Sequence, residues 1–257
     1  MKILSCNIRT SLARDGENAW AHRKALCARL VRAQEADLIG FQEMSDIQHA
    51  DLAAALPEYD HYGLADEPCG HRPQNAIFFL KGRFRRVTAG GYWLSKTPHV
   101  PGSRSWDSAC VRLANWVRLQ DLATGKEFRF VNTHLDHVSQ PAREGQAALL
   151  VEEALAYPAE YPQLLAGDLN AESPNRAINV LREGGWADTF AAANGDRAPG
   201  STFHAFKGPE SASPIGKIDW IFMRGCMAAT ESAVIRDSEN GRFPSDHYFL
   251  SATVRIL

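Results

Sequence analysis

Residues 161–176 read YPQLLAGDLNAESPNR. The apolar run Leu164-Leu165-Ala166 stops at Gly167, and a carboxylate, Asp168, and an amide, Asn170, follow two residues apart. A short apolar run bounded by glycine reads as a buried strand. Side chains at i and i+2 of an extended segment point the same way, so this reading puts Asp168 and Asn170 on one face at the strand's end. Whether such an end is a site depends on how the other strands finish.

They finish alike. KILSC (2–6) delivers Asn7, and LIGFQ (38–42) delivers Glu43. FRFVNT (128–133) delivers His134, with Asp136 two residues further on. Lys217-Ile218 delivers Asp219 ahead of the apolar WIF, and FPS (243–245) delivers Asp246 and His247 just before the last strand. Strand termini packed side by side would gather these carboxylates, amides and imidazoles in one pocket.

The remaining pattern supplies the frame. Residues 18–35 read as an amphipathic helix, with Trp20, Arg23, Leu26, Cys27, Leu30 and Val31 on one stripe. Strands are expected at 2–8, 36–44, 75–80, 85–94, 115–122, 128–137, 217–223 and 247–257, with a turn at TGK (124–126). A second helix is expected over 142–157, and a third opens with Ser173 as cap and Pro174 as first residue and stops at Gly184-Gly185. Many strands with a few dispersed helices predict an α/β (α+β) fold. Strands such as LIGFQ are apolar on both faces, which suits two packed sheets with helices outside.

The chain has 257 residues, 45% apolar and 23% charged, with a formal net charge of -2. No linker-like composition divides it, so a single domain over 1–257 is expected. The charge balance argues against a protein that holds long nucleic acid mainly through phosphate neutralisation. The five cysteines, Cys6, Cys27, Cys69, Cys110 and Cys226, are widely spaced with no CxxC pair. They read as reduced thiols, mostly in the core, and exclude a thiolate zinc site. No apolar run approaches the roughly 20 residues of a membrane span, and the N-terminus reads as a strand, so no membrane insertion and a cytoplasmic location are expected.

Several carboxylates without thiolates suit a hard cation with oxygen ligands, Mg²⁺ or Mn²⁺. Two histidines and an aspartate beside such a metal suit attack of water on a phosphate. The same inventory permits a second chemistry: His134, Asp136 and His247 could form the two-His-one-carboxylate set of a non-haem Fe(II) oxygenase.

SCNIR, GFQEM, NTHLDH, AGDLN, KIDWIF and SDHY occur in this order across nearly the whole chain. Together they resemble the endonuclease/exonuclease/phosphatase superfamily, and the segment GYWLSKTPHVPGSRSWDSACVR (91–112) is similar to a bacterial subgroup of it. The resemblance implies a deoxyribonuclease-I-like, four-layer sandwich of two packed mixed β-sheets flanked by helices. It implies a Mg²⁺- or Mn²⁺-dependent phosphoesterase, with a phosphodiester as the first expectation. By position, Glu43 matches the principal metal ligand, and Asn7 and Asp246 match groups beside the metal. Asp168 matches the residue that activates water, and Asn170 its neighbour at the phosphate. His134 and His247 match the pair at the scissile phosphate, and Asp219 the carboxylate that orients His247.

Substrate contacts are expected from Asn75, from a stacking and phosphate-binding wall of Trp93, Arg104, Trp106 and Arg112, and from Phe203. Asp136 and His137 are expected to support their loop, and the basic run Lys81, Arg83, Arg85 and Arg86 to be a solvated strand edge. The partner is a phosphate ester: nucleic acid, nucleotide or phosphorylated small molecule. A phosphate-binding module without catalysis is the competing reading on the same fold.

Overall fold

The computed structural model describes residues 1–66, 74–211 and 215–257, so Cys69 lies outside the described residues. Among the described residues, twelve strands form two six-stranded sheets. The first comprises β1 (Lys2–Asn7), β2 (Leu38–Gln42), β3 (Tyr59–Tyr62), β4 (Ile77–Leu80), β11 (Met227–Ile235) and β12 (Phe249–Ile256), in the order β11-β12-β1-β2-β4-β3. The second comprises β5 (Phe84–Trp93), β6 (Leu113–Asp121), β7 (Glu127–His134), β8 (Gln163–Asp168), β9 (Ala187–Asp188) and β10 (Asp219–Arg224), in the order β5-β6-β7-β8-β10-β9. Each sheet is mixed: β1 runs parallel to β2 and β7 parallel to β8, and the other pairs are antiparallel. Among the described residues, five α-helices accompany them: α1 (Trp20–Ala33), α2 (Asp46–Ala55), α3 (Gln140–Leu155), α4 (Arg176–Glu183) and α5 (Thr189–Asn194). None is long and apolar enough to cross a membrane.

Strand alternation builds the layers. Ile3, Leu38 and Phe79 of the first sheet meet Val117, Phe128, Phe130 and Leu164 of the second in a core between the sheets. Their neighbours Leu4, Ile39 and Phe78 face the other way and pack with Trp20, Cys27 and Val31 of α1 and Leu52 of α2. On the far side, Val131, Leu165, Trp220 and Phe222 pack under Ala147 and Leu150 of α3 and Ile178 and Leu181 of α4. The result is the expected helix–sheet–sheet–helix stack. Two-sided burial explains why LIGFQ is apolar without alternation.

Several local expectations change. The third helix starts at Arg176 with Asn175 as its cap, because the Asn175 side chain accepts from Ala177 N at 2.9 Å; the Ser173-Pro174 bond precedes it and is cis. It ends at Gly184, as the glycine pair implied. Helix α2 carried a legible start signal that pattern reading passed over: Ser45 and Gln48 form a reciprocal capping box. The edge strands β3 and β11 and the short β9 and α5 were also not expected. Cys6 and Cys27 are buried, but Cys110 and Cys226 are exposed. Leu30 is only half-buried, at the margin of the α1 stripe.

Candidate active site

Register brings the chemistry together. His134 of β7 lies beside Asp168 of β8, and Asp168 beside Asp219 of β10. Asn7 of β1 lies beside Gln42 of β2, whose chain continues directly into Glu43. Asp246 and His247 arrive on the segment leading into β12, the other neighbour of β1. The close approach of β7 and β8 needs Gly167, where a Cβ would stand 2.3 Å from the Thr133 carbonyl oxygen. These ends floor a cleft of about 590 Å³ lined by Glu43, His134, Asp168, Asn170, Asp246 and His247.

Asp168 is the hub. Its Oδ2 accepts from Asn7 Nδ2 at 3.0 Å and lies 3.3 Å from His134 Nε2 and 3.8 Å from His247 Nε2. Asn7 Nδ2 also lies 3.1 Å from Glu43 Oε1, so one amide bridges the two carboxylates, while its Oδ1 accepts from Arg9 N at 3.0 Å. Asn170 reaches the site by a different route from the one expected. The strand ends at Asp168, and Asn170 adopts φ +46°, a left-handed turn in which its N–H donates to Asp168 Oδ1 at 2.9 Å. Its side-chain amide meets His134 Nε2 at 2.9 Å and donates to the Leu135 carbonyl at 3.1 Å. Asparagine is among the residues that tolerate this conformation best. Asp168 and Asn170 therefore share the site through a turn rather than an extended i, i+2 pair.

The two histidines are held in opposite states. His247 Nδ1 lies 2.9 Å from Asp219 Oδ2. Burial works against its charge, but Asp219, with Asp168 and Asp246, outweighs it and lifts the imidazole pKa to about 10. Burial, then the charges of Arg112, His247 and His137, hold His134 well below the usual histidine range. Asp168 is pushed up to about 7 by burial and by Asp219. Lys217, the other candidate partner of Asp219, pairs instead with Asp188 at 2.7 Å.

Glu43 and Asp246 face the same part of the cleft. Glu43 Oε2 accepts from Thr10 N at 3.1 Å, and the residue sits at φ +61°, an uncommon conformation for a glutamate that clusters at functional sites. Burial, and then the charge of Glu43, raise the Asp246 pKa against the pull of His247 and Arg9. A buried carboxylate whose charge is disfavoured by a second carboxylate suits a cation beside the two. A second set, Asp168, Asp219 and His247, offers ligand atoms within 4.8 Å of one another. There, however, the 2.9 Å hydrogen bond engages His247 Nδ1 and Asp219 Oδ2, and Asp219 does not line the cleft. The Glu43–Asp246 end therefore fits a hard cation better.

The family model described as the endonuclease/exonuclease/phosphatase family matches residues 4–247. The chain belongs to this family. Among solved structures, a functionally unknown protein of Enterococcus faecalis V583 is 30% identical with a TM-score of 0.92 and full coverage, 100% of each chain. A mannosyl-6-phosphatase of Bacteroides thetaiotaomicron is 28% identical with a TM-score of 0.90, covering 99% of both chains. The zebrafish TDP2 complexed with a single-stranded DNA product shares the fold at 17% identity and a TM-score of 0.79, covering 99% of this chain and 98% of that one. The deoxyribonuclease-I-like, two-sheet architecture expected from the motifs is thus the fold of this endonuclease/exonuclease/phosphatase member.

Around its cleft, the expected substrate wall is largely elsewhere. Trp93 is buried, with Nε1 donating to the Asp66 carbonyl at 2.6 Å. Trp106 lies on α3 against Gly145, and Arg104 donates to its own loop at Ala109 O, 3.2 Å. Asn75 is buried between the sheets, donating to Leu113 O at 2.8 Å. Only Arg112 and Phe203 of the six expected contacts line the cleft. The Asp136 carboxylate turns away: its oxygens accept from Ser108 Oγ, Ala109 N, Val138 N and Ser139 N at 2.7–3.0 Å. That removes the carboxylate from the two-His-one-carboxylate iron set. His137, expected to support the loop, instead lines the cleft with Nδ1 3.3 Å from Arg112 NH2. Arg9 and Thr10 also line it. Arg9 stood inside the SCNIR motif, and only its position two residues after Asn7 could have flagged it.

Proposed function

We propose that this protein is a divalent-metal-dependent phosphoester hydrolase in which Asp168 activates the attacking water. The observation that carries the reading is the placement of Asp168 Oδ2 between two imidazoles, 3.3 Å from His134 and 3.8 Å from His247. A carboxylate lifted to about 7 by burial and Asp219 is a competent proton acceptor near neutral pH. His247, kept charged by Asp219, stabilises negative charge on a non-bridging phosphate oxygen. The Asn7 side-chain amide and the Asn170 backbone N–H fix the Asp168 carboxylate between them. Arg112, whose Nε is buried without a partner, supplies a further cation beside His134.

Glu43 and Asp246 hold Mg²⁺ or Mn²⁺ in this reading, with Asn7 tying Glu43 to Asp168. When bound, the ion offsets phosphate charge and polarises the phosphoryl oxygen. Phosphodiesters are the first substrates proposed, and the mannosyl-6-phosphatase among the similar structures supports including monoesters. The test is hydrolysis of bis-p-nitrophenyl phosphate and p-nitrophenyl phosphate by metal-stripped protein, with Mg²⁺, Mn²⁺ or neither. Activity should require the metal. Asp168→Asn should lower kcat by about a thousandfold, as expected for loss of a general base together with a hub of the site. Near-wild-type turnover in Asp168→Asn would refute the assignment.

A further inference from the structure

The cleft has two unlike ends. On the His134 side stand Arg112 and His137. On the His247 side stands Phe203, whose ring centroid lies 5.1 Å from the imidazole at an interplanar angle of 65°. Leu12 and Ile215 line the same cleft from two separate loops, yet remain 53% and 41% exposed. Isolated exposed aliphatic side chains are ordinary on a protein surface. Two of them on different loops share one cleft with an aromatic ring that contacts a catalytic histidine, and with the buried Met44 and Ile218.

Resting on the reading of this cleft as a phosphoester site, we propose that Leu12, Phe203 and Ile215 select the organic group of the ester, favouring an apolar or aromatic face over a bare polyol or sugar. The phosphate sits at Asp168, between the two histidines. Its alcohol portion then extends past His247 onto the Phe203 ring and under Leu12 and Ile215. A flat or apolar group would displace water from all three side chains, which is the favourable step. A polyol placed on these three side chains would have its hydroxyls desolvated against carbon. The loop bearing Leu12 is held for this purpose: Gln48 of the α2 capping box accepts from Ser11 N at 2.9 Å and donates to Arg9 O at 2.8 Å.

Non-hydrolysable phosphonates separate this idea from catalysis. Binding of phenylphosphonate and 2-hydroxyethylphosphonate is measured calorimetrically with Mg²⁺ present, for the wild type and for Leu12→Ser/Ile215→Ser. Phenylphosphonate should bind about tenfold tighter to the wild type, the scale of discrimination that apolar pockets achieve. The preference should collapse to within about twofold in the double variant, whose exposed positions leave the core untouched. Equal binding by the wild type, a preference that survives in the double variant, or no binding of either phosphonate would overturn the proposal. Selective phenylphosphonate binding by a protein that hydrolyses no phosphoester would remove the catalytic reading and leave this one standing.

Discussion

His134 shows how strongly position governs a single side chain here. Burial first, then Arg112, His247 and His137, depress its pKa well below 6.5. Between that depressed value and about 6.5, the unfolded chain binds a proton that the folded chain refuses. The stability owed to this group is therefore complete above about pH 6.5 and declines as pH falls through that window. Arg112→Gln removes one of the repelling cations, so His134 should titrate closer to its ordinary range and the acid-side loss should become shallower. Urea unfolding of metal-free protein between about pH 5 and 7 measures the two slopes. Identical slopes would show that removing Arg112 does not bring the His134 titration into this window. Arg23 makes a related point about a charge with no chemistry to perform. Buried in α1, it donates to the carbonyls of Asn18, Ile8, Pro244 and Arg9 at 2.5–2.9 Å. It thereby ties the segment after Asn7 to the one before Asp246.

At the scale of the elements, the site depends on β7 and β8 running parallel at close range. Gly167 is what permits it, since any Cβ there would meet the Thr133 backbone carbonyl at 2.3 Å. Backbone cannot rotate out of the way as a side chain can. Gly167→Ala should therefore push the two strands apart at the residues flanking His134 and Asp168, costing about 1–3 kcal/mol of stability. Activity should fall further than stability alone explains, because the His134–Asp168 distance of 3.3 Å sits on that pair of strands. The denaturation midpoint and kcat of the folded variant, measured together, decide it; unchanged kcat would mean that the pair tolerates the displacement. The same elements show where pattern reading works. Strands buried on both faces announced themselves as apolar runs. Edge strand β11, with exposed residues along it, and β3, only four residues long, gave no such contrast.

For the whole molecule, the balance of charge and its placement bear on the partner. The basic run near the start of β5 is already neutralised in part: Arg83 pairs with Asp37 at 2.7 Å and Asp121 at 3.5 Å, and Arg86 approaches Asp60 at 4.0 Å. Register places Arg85 opposite Gln120, and Gln120 opposite Glu127, at the far end of β7 from His134. No basic track therefore leads from that run to the cleft among the described residues. Binding of a single-stranded oligonucleotide should fall only weakly with salt, with a log–log slope below about 2, where a protein contacting 6–10 phosphates shows one several times steeper. A steep slope in a fluorescence-anisotropy titration would point to an extended nucleic-acid track.

The sequence by itself determined the layered architecture and the inventory of the site. Asn7, Glu43, His134, Asp168, Asp219, Asp246 and His247 each sit at or beside the end of an apolar segment, and that is a local property. An apolar run must be buried, its end must emerge, and the polar residue at the end emerges with it. The expectation of a hard cation also came from the sequence alone, which offers several carboxylates and no CxxC pair. Only the tertiary structure decided which side chains face one another across long separations. Loop 91–112 offered two tryptophans and two arginines of equal promise. Packing of Trp93 toward Asp66 and of Trp106 onto α3 withdrew the aromatic rings, and Arg112 alone was left at the cleft. Asp136 and His137 are neighbours in the chain, yet one was turned into a loop hub and the other toward the cleft. The protonation of His134 and His247 was likewise set by partners distant in sequence, since burial and opposing charge are properties of the assembled core rather than of any segment.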